Sequence, residues 1–190
     1  MRLVARAHLA ERGGGILLAC ITAFESVRLE LLAGDPAAAT ELAGTGFRMH
    51  EELGDQDHLA ESAGLMAQAL YALDRLDDAD AWAGRAAELG TTAYPTKEMS
   101  WRRVRALVLA RRGEHTEAER LAREAAAIGE GIDRLADQGD ANADLAEVLL
   151  LGGKDDDAAA ALAQALDSYE RKGHLVMAGR VRDRLTALAL

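Results

Sequence analysis

The residues whose types could do chemistry fall into a few short clusters. These are Gly152-Gly153-Lys154, His50-Glu51 with His58, Asp55 with Asp57, Asp155-Asp156-Asp157, and a group of arginines around Trp101. A phosphate-cradling loop needs glycines that bring backbone N–H groups to the phosphate, then a lysine and a hydroxyl residue. Lys154 is followed by an aspartate and the upstream glycine is missing, so this stretch reads as a turn between helices. Gly13-Gly14-Gly15 has no lysine after it. A zinc-protease helix needs a second histidine one turn after the first, and His50-Glu51 lacks it. His58 lies beyond the Gly54 turn, so the two histidines need not share a face; exposed histidines and no metal site are the expectation. Asp55 and Asp57 begin like a calcium loop, but Leu59 and Ala60 stand where ligand and glycine belong. The three aspartates at 155–157 read as carboxylates complementing the positive end of a helix.

Nucleophilic catalysis has poor material. Ser26, Ser62, Ser100 and Ser168 lie in no strand–turn–helix elbow. Asp133 and Asp137 are spaced along a polar helical face with Arg134 beside them, a solvated charge pattern with no enclosing pocket. Arg102, Arg103, Arg105, Arg111 and Arg112 crowd around Trp101. They are expected to bridge to Glu98, Glu114, Glu117 and neighbouring acidic helices, or to offer planar forks to an acidic partner segment. Trp101 and Trp82 read as packing residues. No catalytic residue, cofactor-binding residue or metal ligand is assigned, and the chain does not read as an enzyme.

The lone Cys20 permits neither an intrachain disulfide nor a cysteine-rich zinc site, which fits a reducing cytoplasm. Leu17-Leu18-Ala19-Cys20 has the look of a lipid-attachment box, but only Ile16–Ala19 stand where an apolar run of about 7–15 residues is needed. Cys20 is therefore expected in the core. No apolar run approaches the roughly 20 residues of a membrane span. The formal net charge of −10 argues against a general nucleic-acid or anionic-membrane surface.

What positions these residues is a repeat. An apolar helix face, a turn and a small-residue stripe recur at spacings of 39 or 40 residues, with turns at Gly34, Asp74, Gly113 and Gly153. Five residues after each turn stands an alanine: Ala39, Ala79, Ala118 and Ala158. Alanine is abundant, at 41 residues, and aromatics make up 4%, a balance that favours helix and allows close helix approach. Only three lysines stand against nineteen arginines, a bias that hints at a GC-rich bacterial genome. Two short helices cannot bury their apolar faces alone, so copies stack on a shared core.

The expected fold is all-α, a right-handed α-α superhelix of about four helix pairs plus a terminal capping helix. A single domain spans 1–190. It has a leading helix and glycine turn at 1–15, repeats at 16–54, 55–90, 91–129 and 130–173, and a capping helix at 174–190. The leading helix looks like the remnant of a preceding repeat, or a cap. Pro36 suits the first turn of its helix, Thr96 is a natural N-cap, and Gly54, Gly90, Gly129 and Gly173 are expected stops.

These residues resemble tetratricopeptide (TPR) repeats. That family places small residues at the eighth, twentieth and twenty-seventh positions around a turn glycine. Ala146, Gly153, Ala158 and Ala165 fit this, with Leu145, Leu149 and Leu162 in the large apolar positions. Ala67, Ala79 and Ala86 fit with Met66 and Leu70, and Ala106, Gly113, Ala118 and Ala125 fit with Leu109. In the first unit Gly34 and Ala39 match, while Val27 and Gly46 are approximate. The period departs from the family's ~34 residues, and the usual proline after the second helix is missing. Longer repeats of this kind resemble the C-terminal arrays of bacterial adenylate/guanylate cyclase-coupled signalling ATPases, most of all over Trp101–Gly173.

The resemblance, which covers roughly residues 20–190, implies a groove lined by the first helix of each repeat. Its candidate residues are Arg28, Leu31, Glu61, Gln68, Tyr71, Arg103, Asp140 and Glu147. A polar groove of mixed charge suits an extended peptide or a helix of another protein. The function expected is a cytoplasmic, non-catalytic interaction, scaffold or sensing array, part of a bacterial signalling ATPase or regulator, with no cofactor, nucleic acid or membrane. The alternative is a structural protomer that self-assembles through unpaired ends, motivated by Leu188-Ala189-Leu190.

Overall fold

The computed structural model describes residues 14–89 and 95–188. The predicted helix over 1–12, the expected stop at Gly90 and the last two residues lie outside them. Nine helices follow in chain order, and no strand occurs among the described residues. Helix α1 covers residues 14–33, with a π-helical stretch at Ile21–Ser26 leading into α-helical Val27–Ala33. Next come α2 (Pro36–Leu53), α3 (Gln56–Ala72) and α4 (Leu76–Leu89). Then follow α5 (Pro95–Arg111), α6 (His115–Glu130), α7 (Leu135–Leu151), α8 (Asp155–Lys172) and α9 (Leu175–Leu188).

The chain divides into two compact units, Met1–Thr91 and Thr92–Leu190. In the first, α1 pairs with α2 and α3 with α4; α2 packs on α3, and the two leading helices α1 and α3 also touch. In the second, α5 pairs with α6 and α7 with α8; α6 packs on α7, α5 touches α7, and α9 covers α8. This is the helical-hairpin repeat that the spacing implies.

The turn positions show why the spacing is kept. Gly34, Asp74, Gly113 and Gly153 have φ of 85°, 60°, 84° and 72°. That left-handed conformation releases the chain from one helix and aims it at the next, and it suits glycine because no Cβ opposes it. Asp74 is the non-glycine exception among the described residues. Each turn is closed in the same way, as in Lys154 N–H donating to the Leu149 carbonyl at 2.9 Å. At the start of α2, Asp35 accepts the Ala38 N–H at 2.9 Å while Pro36 takes the first helical position.

The small-residue stripe is the seam of each hairpin. Val27, Ala67, Ala106 and Ala146 on the first helices are fully buried, as are Ala39, Ala79, Ala118 and Ala158 on the second. Ala86, Ala125 and Ala165 continue the seam, and Gly46 completes it in the first hairpin. Two expected boundaries shift. Helix α6 runs one residue past Gly129 to Glu130; Gly129 is buried with helical backbone, and a Cβ there would make ordinary contacts with Met99 Sδ at 3.5 Å and Ala141 at 3.7 Å. Helix α5 begins at Pro95, which puts Thr96 inside the first turn instead of at the cap.

Candidate functional site

In the second unit, the first helices α5 and α7 meet through an ionic cluster. Arg103 on α5 is buried, and its Nε donates to Asp144 Oδ2 at 2.7 Å. Its Nη1 lies 3.7 Å from Asp140 Oδ2. The Tyr169 hydroxyl, reaching over from α8, donates to Asp140 Oδ1 at 2.5 Å. The ring of Tyr169 is fully buried because Gly139 leaves room for it; a Cβ there would fall 2.6 Å from Cε1. Two carboxylates, Asp140 and Asp144, thus act on one guanidinium, and Glu147 acts in turn on Asp144. Burial works against the charge of Arg103, but Asp144 and Asp140 outweigh it and hold its pKa above the usual value. Burial pushes Asp144 up to about 6; Arg103 opposes that rise, while Asp140 and Glu147 add to it.

The structure therefore brings together Arg103, Asp140 and Glu147 of the candidate groove, and adds Asp144 and Tyr169. Asp144 was within reach of sequence reasoning: it lies one helical turn after Asp140, on the same face of α7. Arg103 spends its fork inside the protein.

In the first unit, Arg28 Nη2 donates to Glu61 Oε1 at 3.2 Å, linking α1 to α3. Arg28 also lies 3.7 Å from Glu25. Leu31 on α1, and Gln68 and Tyr71 on α3, are half-buried. The arginines near Trp101 are largely paired at home. The Arg102 guanidinium sits 4.2 Å over the Trp101 ring and donates to Glu98 at 2.5 Å and Glu124 at 3.2 Å.

A second cluster was not anticipated. His50 was expected at the surface, yet it is fully buried, and His58 is half-buried beside it. Nδ1 of His50 and Nδ1 of His58 lie 2.8 and 2.7 Å from the same Asp55 oxygen, Oδ2. The two rings stack with centroids 5.4 Å apart, and Phe24 lies 5.6 Å from one and 5.8 Å from the other. Cys20, half-buried rather than in the core, joins them. A ligand atom from each of Cys20, His50, Asp55 and His58 lies within 4.8 Å of the others.

Burial holds the His50 imidazole below its usual pKa, which favours the neutral ring. Burial alone would raise Asp55, but hydrogen bonds from His58 and His50 keep its carboxyl below the ordinary range. Burial, with the charges of Asp55 and Glu61, pushes the Cys20 thiol up. The cluster is assembled by the α1–α2 contact. A Cβ on Gly46 would fall 2.4 Å from the Ala23 Cβ, so the helices touch nearly backbone to backbone there. One turn further along each antiparallel helix stand Cys20 and His50. The available signal was register: His50 continues the Ala39, Ala43, Gly46, Phe47 stripe at helical spacing.

Solved structures similar in fold include three of helical repeats. Two are crystal structures of TPR-like repeats from Podosopora anserina, named for a kinesin light chain with nearly identical repeats. One of them, a variant with methionine in place of a glutamine, matches with TM-score 0.55 and 16% identity over 89% of this chain and 93% of that one. The form without that substitution matches equally, over 90% and 94%. BtubC (BKLC) from P. vanneervenii matches with TM-score 0.51 and 16% identity over 94% and 91%. The fold is a TPR-like repeat solenoid. No protein-family model and no curated protein matches the sequence of this TPR-like chain. Among its described helices none is long and apolar enough to cross a membrane.

Proposed function

We propose that this TPR-like chain is a non-catalytic protein-interaction array that holds a basic segment of a partner protein. The observation that carries the reading is the α5–α7 face, where Asp140 and Asp144 flank the buried guanidinium of Arg103 and the Asp140 carboxylate stays partly open to water. A carboxylate that keeps an open side attracts a positive group from outside, and leading-helix faces are the surface that stacked repeats present to ligands. The resemblance of Trp101–Gly173 to cyclase-coupled signalling ATPases supports a place in the C-terminal part of such a cytoplasmic bacterial protein.

Fluorescence anisotropy with an arginine- and lysine-rich helical peptide tests this. Binding should weaken at least about fivefold in the Asp140→Asn plus Glu147→Gln variant, and steeply with added salt. Equal binding by the variant, or stronger binding of an acidic peptide of the same length, would refute the reading. Self-assembly is the second reading, favoured by Leu175 and Val176, which are 79% and 52% exposed on α9. Sedimentation of a Leu175→Ser plus Val176→Ser variant should then shift an oligomer to monomer; a wild type already monomeric at high concentration removes it.

A further inference from the structure

We propose that Cys20, His50, Asp55 and His58 form a closed structural site for a zinc ion, tying α1 to the α2–α3 turn. The donors are of the right kind: sulfur, two imidazole nitrogens and a carboxylate oxygen, the set that zinc takes in tetrahedral coordination. They are also nearly in place. Bonds of about 2.0–2.3 Å put tetrahedral ligand atoms about 3.3–3.8 Å apart, and here all four lie within 4.8 Å of one another.

Charge balances as well. The Cys20 thiol gives up its proton to solvent as its sulfur bonds the ion, and Asp55 contributes the second negative charge. Two anionic and two neutral ligands cancel the two charges of the metal, which lowers the cost of burying it.

Both imidazoles already turn the same nitrogen toward the carboxylate: Nδ1 of His50 and Nδ1 of His58 lie 2.8 and 2.7 Å from Asp55 Oδ2, so the ion would take these two nitrogens with the Asp55 carboxylate and the Cys20 sulfur. Phe24 against both rings gives the site an apolar wall. Four protein donors leave no open coordination position, so the role is to brace the first hairpin rather than to activate water. This inference is independent of what the repeats bind.

Cobalt(II) titration of the full metal-stripped chain is the direct test. The expected result is one equivalent bound per chain, a tetrahedral visible spectrum and a thiolate-to-cobalt charge-transfer band, all displaced by zinc. Because Cys20 is the only cysteine, that band assigns the sulfur. Zinc should raise the Tm of the wild type, reversibly with chelator. His58→Ala, whose ring is half-exposed and whose fold circular dichroism can verify, should weaken zinc at least about tenfold. His115→Ala, an exposed position at the start of α6, should bind as wild type does. A wild type without the charge-transfer band, or a His58→Ala chain with undiminished zinc affinity and the same Tm increase, overturns the site.

Discussion

Arg103 donates to Asp144 at 2.7 Å across the seam between α5 and α7. That bond ties two leading helices together through groups that are individually costly to bury. Removing the cation leaves Asp140 and Asp144 facing each other with nothing between them. Breaking a buried pair by deleting one partner costs about 3–5 kcal/mol. Part of that is relieved here because Asp140 stays partly open to water. Arg103→Ala should therefore destabilise the second unit by about 3 kcal/mol, read by urea unfolding. Arg103→Lys should recover only part of the loss, since an ammonium cannot present the fork that reaches two carboxylates.

The same cluster sets a pH dependence. The folded protein holds the Asp144 proton up to about 6, above the ordinary 3.8. Between those values the native state binds more protons than the unfolded chain, so stability falls as pH rises through that window. The contribution is fully present below the lower value and gone above the higher one. Wild type should thus lose stability relative to Asp144→Asn between pH 4 and pH 6. Paired urea titrations at the two ends measure it, and a difference independent of pH would remove the argument.

One substitution made at two open positions should have opposite signs. A Cβ at Gly84 or at Gly113 would meet nothing within 4 Å, so space decides neither. Gly84 is within helix α4, where alanine lowers the entropy of the unfolded chain; Gly84→Ala should gain about 0.5–1 kcal/mol. Gly113 sits at φ 84°, where an L side chain is strained. Gly113→Ala should cost about 1 kcal/mol. Thermal melts of the two variants on opposite sides of wild type are the expected outcome.

Those turns explain how much of the fold the sequence reveals. A left-handed turn selects glycine and a tight seam selects alanine, so Gly34, Gly113, Gly153 and Ala39, Ala79, Ala118, Ala158 mark the hairpins without any tertiary information. Residues on the leading-helix faces follow from the same register, which is how Arg103, Asp140 and Glu147 fall together. The histidine cluster is of another kind. It depends on α1 meeting α2 at Ala23 and Gly46, and on the α2–α3 turn bringing Asp55 and His58 back over His50. No local pattern encodes that convergence, and a polar residue type masks the burial of His50. Gly129 misleads for the opposite reason. A glycine after an apolar stripe signals a helix end, but Gly129 keeps a right-handed helical backbone and the helix ends one residue later.

The Gly46 contact should be among the least tolerant places in the first unit. A methyl there would fall 2.4 Å from the Ala23 Cβ and 2.8 Å from its backbone nitrogen, and backbone cannot rotate away. Gly46→Ala forces α1 and α2 apart, an overpacking cost of about 1–3 kcal/mol. Gly44→Ala is the internal control. Its nearest neighbour at 3.2 Å is the Met66 methyl, the far end of a flexible side chain that can move aside. Chemical denaturation should show a large loss for the first variant and little for the second.

Tyr169 permits a cleaner dissection of the second unit. Its ring fills the space over Gly139 and its hydroxyl serves Asp140, so packing and hydrogen bonding can be removed separately. Tyr169→Phe keeps the ring and deletes a bond to a charged acceptor, worth about 1.5–3 kcal/mol in a fully buried pair. Because water reaches the Asp140 carboxylate, the loss should fall near the lower end of that range. Tyr169→Ala also empties a large volume against a backbone that cannot close, adding a cavity cost and bringing the total to about 3–5 kcal/mol. If unfolding free energies put the two variants level, the ring would contribute nothing beyond its hydroxyl. The close approach at Gly139 would then not be what holds α7 to α8.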